Sequence, residues 1–216
     1  MPGSAVRSRL GAVALTAGGV LFVLYPATRP WRDESTAGGA TQSMSSGAWV
    51  AAHLFAMIGF ILVTLGLLAL YGAVSRTRAE RAALAAVVTS WIGAGLTLPY
   101  YGAEDFGLHG IAEKAAEGQN LDLLGLVDAI RFNPVAATTF AAGLLLLGAG
   151  AVLAAVAIWR SGVLPRYSGI PFALGFALFI PQFYTPAAVR IAHGVLVGIG
   201  SIWIALALWR TTTARA

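Results

Sequence analysis

Cysteine is absent from this 216-residue chain, and lysine occurs once. Without thiols there is no disulfide framework, no thiolate nucleophile and no sulfur ligand for a metal. The one lysine, Lys114, lies in a polar stretch, which argues against a Schiff-base lysine inside a helix bundle. Charge is scarce too: 11% of residues are charged, against roughly a quarter in an ordinary soluble domain. No His-Glu-x-x-His motif and no nucleotide-binding glycine motif is present. These shortages disfavour a soluble enzyme, a nucleic-acid binder and a disordered chain.

What fills the chain instead is apolar: 58% of residues are hydrophobic, and the mean hydropathy is +0.77. This composition belongs to an integral membrane protein. The net charge of +5 then reads as helix orientation rather than affinity for nucleic acid. Arginine dominates the basic residues, and alanine and glycine are abundant, a composition typical of GC-rich bacterial genomes.

A spanning helix needs about 20 apolar residues. Charged residues divide the chain into six uncharged runs of that size, at 10–28, 35–75, 82–103, 132–159, 167–189 and 191–209. The expected fold is all-α: one domain, a six-transmembrane-helix bundle. Its helices are expected at about 7–25, 47–73, 82–102, 134–159, 167–185 and 187–209. Arg7 and Arg9 before an apolar stretch also fit a signal peptide, but a retained first span is the expectation.

The remaining charges set the orientation. One side collects Arg7, Arg9, Arg76, Arg78, Arg81, Arg160, Arg166, Arg210 and Arg215 against Glu80, a balance of +8. The other carries Arg29, Arg32, Lys114, Arg131 and Arg190 against the eight remaining acids, a balance of −3. The positive side is expected in the cytoplasm, with both termini, in the plasma (inner) membrane.

Two outer segments follow. The first, 26–46, is rich in Ser, Thr, Gly and Pro and reads as an irregular loop. The second contains an apolar face at helical spacing through Leu121, Leu124 and Val127, so a short amphipathic helix is expected over 120–132. Asn120 is its candidate cap, and the helix would lie over the bundle mouth.

No charge falls in the middle of an expected span, which argues against a proton-driven pump. Chemistry is therefore sought at the outer side, where all three histidines fall. Glu104, Asp105 and His109 are the candidate catalytic groups. Asp105, His109 and Glu113 share a face if the third helix continues. His53, Tyr100, Tyr101, Gln182 and His193 are the candidate ligand-binding residues. Pro99 and Pro181 each remove a helix hydrogen bond near this mouth, which opens space between helices. Gly194 and Gly198 allow close helix contact, within the chain or in a homo-oligomer.

Three functional readings fit. The first is an outward-facing polar and aromatic pocket that binds or transforms a lipophilic small molecule. The second is a metal- or haem-binding protein using His53, His109 and His193. The third is a non-catalytic membrane subunit of a larger complex. Catalysis is open, and the cofactor is undetermined by the sequence.

Overall fold

The computed structural model describes residues 2–213. Among these residues there is helix and no strand. Five helices are long and apolar enough to cross a membrane: Ala5–Thr28, Gly47–Val74, Glu80–Ala116, Pro134–Ser161 and Ala187–Thr211.

In chain order, α1 is Pro2–Thr28, α2 Ala37–Met44, α3 Gly47–Val74 and α4 Glu80–Gly102. A π turn at Ala103–Gly107 joins α4 to α5, Leu108–Ala116. Then come α6 Leu123–Arg131, α7 Pro134–Ser161, α8 Ile170–Ala177, α9 Phe179–Gln182 and α10 Ala187–Thr213. Local sequence sets several starts. The Ser46 hydroxyl accepts from the Trp49 amide at the head of α3. Asn133 accepts from the Val135 and Ala136 amides ahead of Pro134 on α7. Gly162, in the left-handed region at φ 68°, ends α7.

The structure corrects four expectations. The helix read as 82–102 runs on to Ala116, because the backbone passes through the π turn instead of ending. The fifth expected span, 167–185, is two short helices that break at Leu178. The physical reason is Pro181, which has no N–H for the Ala177 carbonyl and cannot continue a regular helix from α8. The segment read as an irregular loop at 26–46 contains α2, capped by Thr36, which accepts from the Gly39 amide. Finally, the helix near 120–132 starts from Asp122, whose carboxylate accepts from the Gly125 amide, and not from Asn120.

The long elements close into a ring. Helix α1 lies against α3 and α10, α4 against α3 and α7, and α8 against α7 and α10. On α10, Gly200 meets Phe172 and Val197 meets Gly175. On α7, Ala155 meets Gly169 and Gly148 meets Ala177. The broken α8–α9 segment therefore runs antiparallel to both neighbours.

Small residues set the closest approaches. A Cβ on Gly143 would lie 2.9 Å from the Gly93 carbonyl oxygen and 3.0 Å from the Thr97 amide nitrogen. Backbone atoms of α4 cannot yield as a flexible side chain can. Gly143→Ala is thus expected to lower stability by about 1–3 kcal/mol. Gly95→Ala, with nothing within 4 Å of its added methyl, should be neutral or stabilising by up to about 1 kcal/mol. Thermal unfolding in detergent checks this, and equal shifts for the two variants would contradict it. Gly194 and Gly198 are used the same way inside the chain: they face the Phe22 and Gly19 carbonyls of α1.

Aromatic rings fill the centre of the bundle. Phe22 meets Phe60, Phe176 and Phe179 at centroid distances of 4.9, 5.6 and 5.8 Å. Phe60 also touches Tyr101 at 5.5 Å. A second, smaller apolar cluster joins α2, α5 and α6 over one end of the bundle. It is built from Ala40, Met44, Leu108, Ala112, Leu123 and Val127 around Trp49.

Candidate functional site

Beneath this second cluster the aromatic plug stops short, and a cavity of about 710 Å³ opens. Its deep wall is apolar: Phe140, Ala141 and Leu144 from α7, Ile180 from α9, and Phe183. Its mouth is charged. Arg29, Arg32, Arg131 and Arg190 line it together with Glu34 and Glu104, a formal excess of two positive charges.

The π turn places the acid. A widened turn carries i→i+5 hydrogen bonding, here from the Leu108 amide to the Ala103 carbonyl. The extra residue rotates the helix face, so that adjacent Glu104 and Asp105 are both buried. Glu104 faces the cavity. Arg131 Nε and Nη2 donate to its two carboxylate oxygens at 2.6 and 2.8 Å. The planar guanidinium fork matches a carboxylate in this geometry.

Arg131 also pairs with Glu34 at 3.0 Å, and Glu34 pairs with Arg29 at 2.7 Å. The result is an alternating chain, Arg29–Glu34–Arg131–Glu104, that ties the segment after α1 to α6 and the π turn. Burial alone would weaken the charge on Arg131. The hydrogen bonds and attraction of Glu104, then of Glu34, outweigh burial and raise its pKa above the ordinary arginine value.

Trp49 supports this chain from below. Its indole Nε1 donates to the Glu104 carbonyl at 2.8 Å. Arg29 and Arg131 lie over its ring at 4.9 and 5.8 Å. Outside the cavity, the Ser35 hydroxyl and then its amide hydrogen-bond Asp33, and hold that carboxyl below its usual range.

Among the residues singled out by sequence, His53, Tyr100, Tyr101 and Glu104 line the cavity. His53 Nδ1 lies 2.8 Å from the Trp49 carbonyl. A carbonyl only accepts, so Nδ1 carries the hydrogen of this bond. The Tyr100 ring stacks on Phe140 with centroids 4.1 Å apart, and its hydroxyl donates to the Arg131 carbonyl at 3.2 Å. The Tyr101 hydroxyl donates to that of Tyr25 at 3.4 Å.

Gln182 and His193 border a separate, water-sized space of about 10 Å³. His193 Nε2 donates to the Gly175 carbonyl at 2.7 Å. That carbonyl belongs to the last turn of α8, where the break removes the usual helical donor. Asp105 and His109 line neither space. Asp105 is fully buried, and neither of its carboxylate oxygens has a hydrogen-bond partner. His109 Nδ1 donates to the Met44 carbonyl at 2.7 Å, and Nε2 lies 3.5 Å from Glu113.

The structure therefore does not bring the three histidines together. Two of them donate to carbonyls of other helices, and His53 to one on its own. Among the described residues, no group of three or more His, Asp or Glu is placed to hold a metal ion. The sequence reading also missed residues of the mouth. Arg29, Glu34, Arg131 and Arg190 were counted only toward the orientation of the bundle. The signal available was the mixture of basic and acidic residues on one side, flanked by Trp31 and Trp49. No family model, curated protein or solved structure matches this chain.

Proposed function

We propose that this is an integral membrane protein that binds a lipophilic small molecule in the cavity at its polar end. The observation that carries the reading is the cavity itself: about 710 Å³, inside the 300–1,000 Å³ range of small-ligand sites. It has an aromatic and aliphatic floor and a small set of fixed polar groups.

In this reading α8–α9 forms a broken sixth crossing, so both termini share one side of the membrane. The arginine-rich side is cytoplasmic by the positive-inside rule, and the cavity faces outward from a bacterial plasma membrane. The short helix α6 roofs the cavity and carries Arg131 into its wall. Binding, rather than turnover, is the better supported activity. Glu104 is held by two hydrogen bonds from Arg131, and Asp105 and His109 stand outside the cavity.

Ala141 lies on the apolar wall, where a larger side chain would fill the space. The expected result for Ala141→Trp is loss of a bound apolar molecule that the wild-type chain retains after mild extraction, with unfolding temperature little changed. Native mass spectrometry reads this directly. An adduct-free wild-type chain, or the same adduct on the variant, would overturn the proposal.

A further inference from the structure

The ion-paired chain at the mouth is internally balanced: Arg29 and Arg131 face Glu34 and Glu104. Arg190 stands outside it. Among the described residues no carboxylate forms an ion pair with Arg190. Its guanidinium is nonetheless fixed in place. Nε donates to Oε1 of buried Gln182 at 3.0 Å. Trp31 and Phe183 flank it with ring centroids 4.9 and 5.2 Å from the guanidinium carbon. No hydrogen bond from its Nη1 or Nη2 is present among the described residues. The group is half-buried, lines the cavity, and sits above the apolar wall of Phe183 and Ile180.

Two features set the charge on Arg190 against its surroundings. Arg190 occupies the first turn of α10, where the helix dipole opposes a cation. Arg32 also lines the mouth, and among the described residues neither arginine has a carboxylate in ion-pair contact. A planar guanidinium with its Nε already committed offers its two Nη groups to an anionic oxygen pair.

We infer that the occupant is an amphiphile with an anionic oxygen headgroup, carboxylate or phosphate, bound by Arg190, and with an apolar tail along the α7–α9 wall. This deepens the proposed function and rests on it. Arg190 is the specificity-determining residue, and Gln182, Trp31 and Phe183 position it. The headgroup chemistry is common to a bilayer lipid and to a single-chain amphiphile.

The test uses the purified full chain in detergent, titrated with hexadecanoate, hexadecyl phosphate and hexadecan-1-ol, with occupancy read by native mass spectrometry. The two anions are expected to bind at least about tenfold more tightly than the alcohol, the effect of a charge-assisted hydrogen-bond pair. In Arg190→Gln that preference should fall below about threefold while binding of the alcohol is unchanged. Arg190→Lys, which keeps the charge and loses the fork, should retain part of the preference and serves if the first variant does not fold.

Equal binding of all three probes by wild type, abolished by Ala141→Trp, would overturn the headgroup inference and leave the cavity reading standing. Absence of binding, or binding insensitive to Ala141→Trp, would overturn both. Phosphatidylglycerol separates the sources. Its binding assigns a bilayer lipid, and its rejection beside bound hexadecanoate assigns a single-chain amphiphile, with the anion requirement holding in either case.

Discussion

Arg131→Ala is expected to cost about 3–5 kcal/mol of stability, the range for removing one partner of a buried ion pair. The side chains of Glu104 and Glu34 are 10% and 16% exposed. Arg131 supplies both hydrogen bonds to Glu104 and one ion pair to Glu34. After truncation Glu34 still has Arg29, but Glu104 is left buried with no ion-pair partner among the described residues.

The loss therefore comes mainly from the stranded charge, and a second substitution should return much of it. The double variant Arg131→Ala with Glu104→Gln is expected to be more stable than Arg131→Ala alone, because the amide needs no counterion. Arg131→Lys should fall between wild type and alanine, since an ammonium cannot make the two parallel bonds. Chemical or thermal unfolding in detergent of wild type, Arg131→Ala, Glu104→Gln and the double variant measures the cycle. A double variant as unstable as the sum of its two single variants would show that the pair is not coupled.

How much of this was legible depends on what kind of signal each feature leaves in the sequence. A spanning helix leaves one that does not depend on its partners: an uninterrupted apolar run between charges. Helices α3, α7 and α10 accordingly start and stop within a few residues of the expected bounds, 47–73, 134–159 and 187–209. The fifth run met the same criterion and still broke, since Pro181 acts through a single missing donor that run length does not register. Helix α2 left almost no signal. Its eight residues, AGGATQSM, include two glycines, a threonine and a serine, which are weak helix formers, and it is held by the Thr36 cap and by packing Ala40 and Met44 near Trp49.

The site was legible as a region and not as a set of partners. Glu104, His53, Tyr100 and Tyr101 were singled out because acids, histidines and aromatics gathered on one side. Which of two adjacent acids would face the cavity depends on the π turn, and a register shift of one residue leaves no periodic trace. The Arg131–Glu104 pair spans 27 positions and forms only because α6 folds back over the bundle. Histidines were the most conspicuous residues of the sequence, and the fold employs two of them to satisfy carbonyls from other helices.

Trp49→Ala is expected to cost about 3–5 kcal/mol, as for other fully buried aromatic truncations. Trp49 is 0% exposed and serves three structures at once. It fills the apolar cluster under α2, α5 and α6. Its indole N–H satisfies the Glu104 carbonyl in the π turn. Its face lies beneath Arg29 and Arg131. Trp49→Phe restores most of the volume but not the donor, and should cost about 1–3 kcal/mol, the penalty for a buried carbonyl left without its partner. Unfolding of both variants, alone and combined with Glu104→Gln, separates volume from hydrogen bonding. If the indole N–H holds the π turn, Trp49→Phe should also weaken the Arg131–Glu104 coupling measured by the cycle above, because Glu104 would no longer be presented in register. Losses under about 1 kcal/mol for both variants, with the coupling intact, would show that the π turn holds its shape without Trp49.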